Sequence, residues 1–500
     1  MWIESLYFDY WMNLLKKQNS HFAIFYETIK ADADFWVVGF YMLLQKMTLE
    51  NFRCYERLEI SFKERTTVLV AINGQGKTTI LDSIRIALWP YVSQFDLAKT
   101  AFADPANTIT IDDIRIIKKV DGHQLEMARQ LPSSVSATCS FDDRVFCWAR
   151  IRDSEAKLSR TKDDSDTRKL KDYAKNIQER IRNLDLRTLD LPVFGYYGTG
   201  RLWKEKRLTE SKKNTRDEVN AKIRTFAYQD CLDPASSFKQ FEDWFIAEYK
   251  HDFAKKIIAL EKGVTTFPAV NDTILAVKGA VDIILETVGW KNLAYSQQYE
   301  SLILEHEQYG VMKMSQLSDG IKNMIGMIAD IAYRCVLLNG HLGKDAARLS
   351  RGLVMIDEID MHLHPQWQQV VISSLEKAFK NIQFIVTTHS PQVLTTVSSK
   401  SICILEDGQK FDAPQGSQGA ESSRLLKRIF GVDTRPEHIE ITKKLKAYER
   451  IVYSDNWKSQ EALELRKQLD EAFGDEEPLL TKLDLYIENR EWELELEKNK

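Results

Sequence analysis

The segment Ala71-Ile-Asn-Gly-Gln-Gly-Lys-Thr78 constrains this 500-residue chain more than any other. It follows Thr67 to Ile72, an apolar run that reads as a buried strand. It precedes Thr78 to Trp89, whose spacing predicts a helix ended by Pro90. A loop so placed can turn its backbone N–H groups onto a phosphate at the positive end of the helix. Gly74 and Gly76 permit the turn, Lys77 reaches the β- and γ-phosphates, and Thr78 offers a hydroxyl to Mg2+. Asn73, Gln75 and Thr79 complete the candidate cradle. Ala71 stands where the pattern ordinarily begins with glycine.

Three further segments add chemistry to the loop. Gly352-Leu-Val-Met-Ile-Asp-Glu358 reads as a central strand delivering two carboxylates at its C-terminal end, where open α/β sheets bind ligands. Asp357 is a candidate Mg2+ ligand, and Glu358 a candidate to orient or deprotonate an attacking water. Phe384-Ile-Val-Thr-Thr-His-Ser-Pro391 is a second strand followed by polar residues, which sets His389 to sense a γ-phosphate. Leu317-Ser-Asp-Gly-Ile-Lys322 opens a helix with Ser318 as a natural N-cap, presenting N–H groups and a positive dipole to an anion.

Composition fits a globular protein of about three structural units: 44% hydrophobic, 28% charged, net charge −4. A wholly basic nucleic-acid binder is excluded. The longest apolar run, Phe35 to Leu44, is shorter than the ~20 residues a membrane helix needs, so no membrane association is expected. Cys54, Cys139, Cys147, Cys231, Cys335 and Cys403 form no CxxC pair, which fits free thiols in a reducing, cytoplasmic setting.

The chain divides into an aromatic-rich extension (1–46), a first α/β part with the phosphate loop (47–150), a mostly helical insertion (151–310), a second α/β part (311–432) and a charged helical tail (433–500). The extension carries Trp2, Tyr7, Phe8, Tyr10, Trp11, Phe22, Phe25, Tyr26, Phe35 and Trp36. It reads either as an apolar segment packing on this protein or another copy, or as sequence before a true start near Met42 or Met47. Residues 144–224 hold 22 Lys/Arg against 13 Asp/Glu. Phe238, Phe241, Trp244, Phe245 and Tyr249 fall at helical spacing and read as core. No heptad pattern persists, so a long coiled coil is not expected.

Taken in this order, the four motifs resemble the ABC-type ATPase heads of the SMC, RecF and OLD group, over roughly residues 42–150 and 311–430, with the opening Met47-Thr-Leu-Glu-Asn-Phe-Arg53. The resemblance implies a P-loop NTPase of α/β class, a mixed sheet flanked by helices, using ATP and Mg2+. It implies that Ser318, Gly320 and Lys322 form a signature loop completing the site of a neighbouring subunit, hence at least a head-to-head dimer. It places Arg53 near the nucleotide and makes Asp360, His362 and His364 part of a subunit-contact loop, not a metal cluster. Gln124 and Gln130 are the candidates for the Q-loop glutamine. A narrower similarity, in Asp357-Glu-Ile-Asp-Met-His-Leu-His-Pro-Gln-Trp367 and the short charged tail, is to PtuA, the ATPase of Septu-type and some retron-associated anti-phage systems. That similarity implies a switch controlling a PtuB-like HNH nuclease partner.

Two alternatives stand beside this reading. An OLD-like nuclease would append a Toprim domain, whose first strand Ile402-Cys-Ile-Leu-Glu-Asp-Gly408 superficially resembles, although no DxD triplet follows. A RecF-like repair ATPase would bind nucleic acid through the basic insertion, with Tyr196, Tyr197 and Arg201 stacking on bases or forming a packed turn.

Overall fold

A computed structural model describes residues 42–98, 104–121, 124–142, 144–157, 159–183, 188–201, 223–234, 238–263 and 271–498. The extension before Met42, including the aromatics named above, lies outside them. The chain forms two compact units, one up to Ala420 and one from Glu421 to Lys500.

The first unit opens with three strands, β1 (Met42–Phe52), β2 (Tyr55–Ser61) and β3 (Thr66–Val70), and helix α1 (Lys77–Val92). Strand β1 therefore begins inside the stretch assigned to the extension. Two hairpins follow, β4 (Ile116–Asp121) with β5 (Gln124–Arg129), and β6 (Ser133–Phe141) with β7 (Arg144–Arg152). The short β8 (Lys162–Asp163) and helix α2 (Ser165–Ile181) pack on β7. The order β2-β1-β6-β7-β8 makes an antiparallel sheet.

Residues 151–310 are not simply a helical insertion. They contain helices α3 (Phe238–Glu261) and α4 (Asp272–Leu285), but β9 (Val193–Tyr197) belongs to the main parallel sheet. Strands β10 (Trp290–Ser296) and β11 (Ser301–His306) join β12 (Gly310–Lys313) in a small sheet leading into helix α5 (Asp319–Leu338). In α3, Phe241 and Phe245 are fully buried, as their spacing predicts; the side chain of Phe238 lies outside the described ones.

The remainder of the unit supplies β13 (Arg351–Ile356), helix α6 (Val371–Ala378), β14 (Asn381–Thr388), β15 (Ile402–Glu406) and β16 (Gln409–Asp412). The main sheet runs β16-β15-β3-β14-β13-β9, parallel except for β16. Its central strands are buried on both faces, which is why they read as continuous apolar runs and not as alternation. Ile402 to Glu406 is thus a strand of this sheet beside β3, not the start of a separate Toprim domain. Buried Gln383 ties the two sheets together: its amide accepts from Leu44 N–H at 3.0 Å and donates to the Leu44 carbonyl at 2.9 Å.

Helix α1 packs between β6 and β7 on one side and β14 on the other. It runs through Pro90 to Val92 instead of stopping there. Proline has no N–H for the carbonyl four residues back. Here Arg150 Nη1 donates to that carbonyl, Ile86 O, at 2.9 Å, and Trp148 Nε1 donates to Ala87 O at 2.9 Å. Neighbouring side chains satisfy what the proline frees, so the helix continues.

The second unit starts at Glu421, earlier than the boundary at 433. It holds α7 (Ser422–Phe430), α8 (Glu440–Tyr453), α9 (Gln460–Phe473) and α10 (Pro478–Lys498), around a core including Leu445, Tyr448, Trp457 and Leu483. All six cysteines are free. Among the described residues no helix is long and apolar enough to cross a membrane.

Candidate nucleotide site

Three neighbouring parallel strands end together: β3 in the phosphate loop, β14 in His389 and β13 in Asp357. Gly74 and Gly76 both have φ of 85°, the left-handed region open to glycine. At Gly76 a Cβ would also fall 2.6 Å from Cys54 Sγ and the Tyr55 hydroxyl, so glycine is required twice over. The loop is braced from both sides. Tyr55 donates its hydroxyl proton to Gln75 O at 2.9 Å, and Asp407 N–H donates to Gln75 Oε1 at 3.0 Å. Asn73 and Gly74 are exposed at the loop's rim, while Thr79 is buried beneath it.

Lys77 is buried, and its ammonium donates to Ala71 O at 2.9 Å. Burial pushes its pKa down, against the opposing pull of Asp357 and Glu358. Thr78 Oγ1 donates to Asp357 Oδ2 at 2.8 Å, bringing two sequence-distant candidates into direct contact. Asp357 is 3% exposed and Glu358 is half-buried with φ of 47°. A hydroxyl from a helix start and a carboxylate from a strand end, in contact, are hard oxygen donors, the set that suits Mg2+. His389 is half-buried; burial lowers its pKa first and the nearby Lys77 charge adds to the effect, favouring the neutral ring.

Arg53 adopts φ of 50° at the turn between β1 and β2. Its guanidinium is held by Asp113 (2.8 Å) and by Asp82 of α1 (2.6 Å). Burial works against its charge, and the two carboxylates outweigh that. Ser318 occupies the N-cap position of α5 and is exposed, but its side chain makes no capping hydrogen bond. Gly320 packs against the turn after Glu358: a Cβ there would meet the His362 carbonyl oxygen at 2.2 Å. Lys322 lies 3.6 Å from Asp319. Among the described residues no cluster of three metal-ligating side chains occurs.

The acidic turn has a job visible in its hydrogen bonds. Asp360 accepts from Thr388 Oγ1 at 2.6 Å, and Gln368 accepts from Ser390 Oγ at 2.8 Å, so the Asp360 turn and the His389 turn hold each other. Tyr196 and Tyr197 are buried in β9, which removes them from base stacking; Tyr196 donates to Asp82 and Tyr197 to Asp330. Gln130 folds back on Ala128 O at 3.3 Å, and the side chain of Gln124 lies outside the described ones. Sequence reading missed Tyr55, Asp82 and Thr387. The doubled threonine before His389 was the available signal for the last.

Comparison with known proteins adds relatives. A family model described as "AAA domain" matches residues 46–266, and one described as "AAA domain, putative AbiEii toxin, Type IV TA system" matches 157–395. The chain is 30% identical over 506 aligned residues to the "Retron Ec83 probable ATPase" of Escherichia coli, covering 90% of this chain and 88% of that one. It is 26% identical over 462 residues to the "Retron Vc95 probable ATPase" of Vibrio cholerae serotype O1 biovar El Tor, covering 85% and 86%. A shorter similarity, 35% over 136 residues, is to the Septu protein PtuA of Bacillus mycoides (strain KBAB4), covering 26% of this chain and 18% of that one.

Proposed function

The chain belongs to the retron ATPase family, as an ABC-type ATPase head related to PtuA, and from that premise we propose that it is the ATP-driven switch subunit of an anti-phage defence complex, controlling an associated HNH nuclease of PtuB type. The observation that carries the nucleotide chemistry is the Thr78–Asp357 contact, with Glu358 and His389 at adjoining strand ends.

In this reading Lys77 exchanges its carbonyl partner for phosphate oxygens, and the N–H groups of the Gly74–Gly76 loop hold the β-phosphate. Thr78 and Asp357 would hold Mg2+, which when bound supplies positive charge against the triphosphate. Glu358 takes a proton from water as the water oxygen attacks the γ-phosphorus, and the bridging oxygen leaves with ADP. Neutral His389 faces the same phosphoryl group and registers its presence. The start of α5, with exposed Ser318 and the more deeply packed Gly320 and Lys322, completes the site of a second copy. Binding closes the pair and hydrolysis reopens it, a two-state element biased by the γ-phosphate. The cutting chemistry belongs to the nuclease partner. Nucleic acid reaches the complex through that partner or through the basic stretch 144–224.

Glu358→Gln tests this. It is expected to retain ATP, measured by nucleotide binding, while lowering turnover by at least about 100-fold. Unchanged turnover removes Glu358 from the mechanism.

A further inference from the structure

Thr387 is wholly buried near the end of β14, one strand away from Asp357 and Glu358. Its hydroxyl serves two partners. It donates to Asp357 Oδ1 at 2.6 Å and accepts from the Glu358 backbone N–H at 2.7 Å. The Thr387 carbonyl accepts from Ile359 N–H at 2.9 Å. One residue thus fixes three consecutive residues where the acidic strand leaves the sheet.

The direction of these bonds is not free to reverse. The Glu358 N–H can only donate, so the single hydroxyl proton of Thr387 is left to point to Asp357 Oδ1. With Thr78 on its other oxygen, the Asp357 carboxylate is held between two threonines and its rotamer is set. Glu358 is held at φ of 47°, a left-handed conformation that non-glycine residues keep only where the surroundings impose it. The Thr387 hydroxyl and carbonyl are among those surroundings. Thr388 works differently: it donates to Asp360 and accepts from Ser390 N–H, and so shapes the neighbouring turn.

We propose that Thr387 is a positioning residue for hydrolysis, acting through Asp357 and Glu358: its hydroxyl sets the carboxylate that holds the cation and the backbone that aims the general base. This rests on the roles given to those two acids above.

The test uses the full-length chain with Thr387→Val, which replaces the hydroxyl by a methyl of similar size, and Thr387→Ser, which keeps it. Thr387→Val is expected to lower kcat by about 10- to 100-fold while KM for ATP moves less than about 3-fold. It is also expected to raise the Mg2+ concentration needed for ATP to stabilise the protein against heat, by about 10-fold, a readout independent of turnover. Thr387→Ser is expected to restore both. A valine variant with the kcat and Mg2+ dependence of the parent overturns the proposal, as does a serine variant impaired equally. If valine abolishes the cooperative melt, Thr387→Cys replaces it, because a thiol is a weak donor and acceptor in nearly the same space. Cysteine matching serine then overturns the proposal, and cysteine falling well below serine supports it. Glu358→Gln measured alongside separates the two layers. If it hydrolyses normally, the reading of the acidic strand fails. If it is inactive while Thr387→Val behaves as the parent, only the role of Thr387 fails.

Discussion

Gly320 is the second residue of α5, a place where alanine would ordinarily serve a helix better by ~1 kcal/mol. Here its Cβ would lie 2.2 Å from the His362 carbonyl oxygen, a backbone atom with no side-chain freedom to move away. His362 itself has φ of 62°, so the turn it belongs to is tightly specified. The start of α5 must lift off that turn to admit a methyl group. Overpacking of this kind costs ~1–3 kcal/mol, so Gly320→Ala is expected to destabilise the head by about 1 kcal/mol net of its helix propensity. Chemical denaturation followed by tryptophan fluorescence checks it, and an unshifted midpoint shows that the helix start is free to move. The glycine was legible in the sequence as part of a phosphate-facing signature. That its own chain demands it, through a carbonyl more than forty residues downstream, was not, because nothing local marks that approach. Lys77, Thr78 and Asp357 were legible for the opposite reason: the first two open a helix just after an apolar strand and a glycine break, and the third ends an apolar strand, all local patterns. The doubled Thr387-Thr388 lies in plain view, yet its work appears only once β13 and β14 are side by side.

Strand β9 shows the same limit at the scale of an element. Leu191 to Gly200 interrupts a basic, helix-like stretch, and its pairing with β13 joins segments far apart in sequence. Successive side chains of a strand point to opposite faces. Tyr196 accordingly donates to Asp82 of α1 at 3.0 Å, and Tyr197 donates to Asp330 of α5 at 2.7 Å. The Tyr197 carbonyl accepts from Asp357 N–H at 2.8 Å, so this edge strand links the acidic strand to the helices on either face of the sheet. Asp330 also pairs with Arg334 at 2.9 Å, both 2% exposed. Burial works against the arginine's charge, and Asp330 more than restores it. Removing the tyrosine hydroxyl leaves that ion pair standing, whereas removing the carboxylate takes the paired negative charge from a buried guanidinium that keeps the Ala227 carbonyl as an acceptor. Tyr197→Phe is therefore expected to cost ~1.5–3 kcal/mol and Asp330→Ala ~3–5 kcal/mol, read from urea midpoints of the head transition. Equal losses in the two variants would mean that the ion pair within α5 adds nothing beyond the hydroxyl's tie between β9 and α5.

For the whole molecule, the decisive matter is which copy supplies Ser318. Within one chain the start of α5 packs on the turn after Glu358, its serine exposed and its side chain making no bond to its own helix. Lys77 and Thr78 open α1, past the loop that follows β3, and β3 lies two strands along from β13. If a dimer builds each site from the loop of one copy and the serine-led helix of the other, two crippled proteins can repair each other. Lys77→Ala spoils the loop and Ser318→Arg spoils the helix start, so each alone is expected to be inactive in ATP hydrolysis. When the two are mixed, half of randomly formed pairs are hybrids. Each hybrid pairs one intact loop with one intact helix start, so the mixture should recover about a quarter of the parental rate when the sites act independently. Recovery should rise with protein concentration and level off once pairing is complete. A site built wholly within one chain predicts no recovery at any ratio, because every copy in the mixture then carries a defect in its only site.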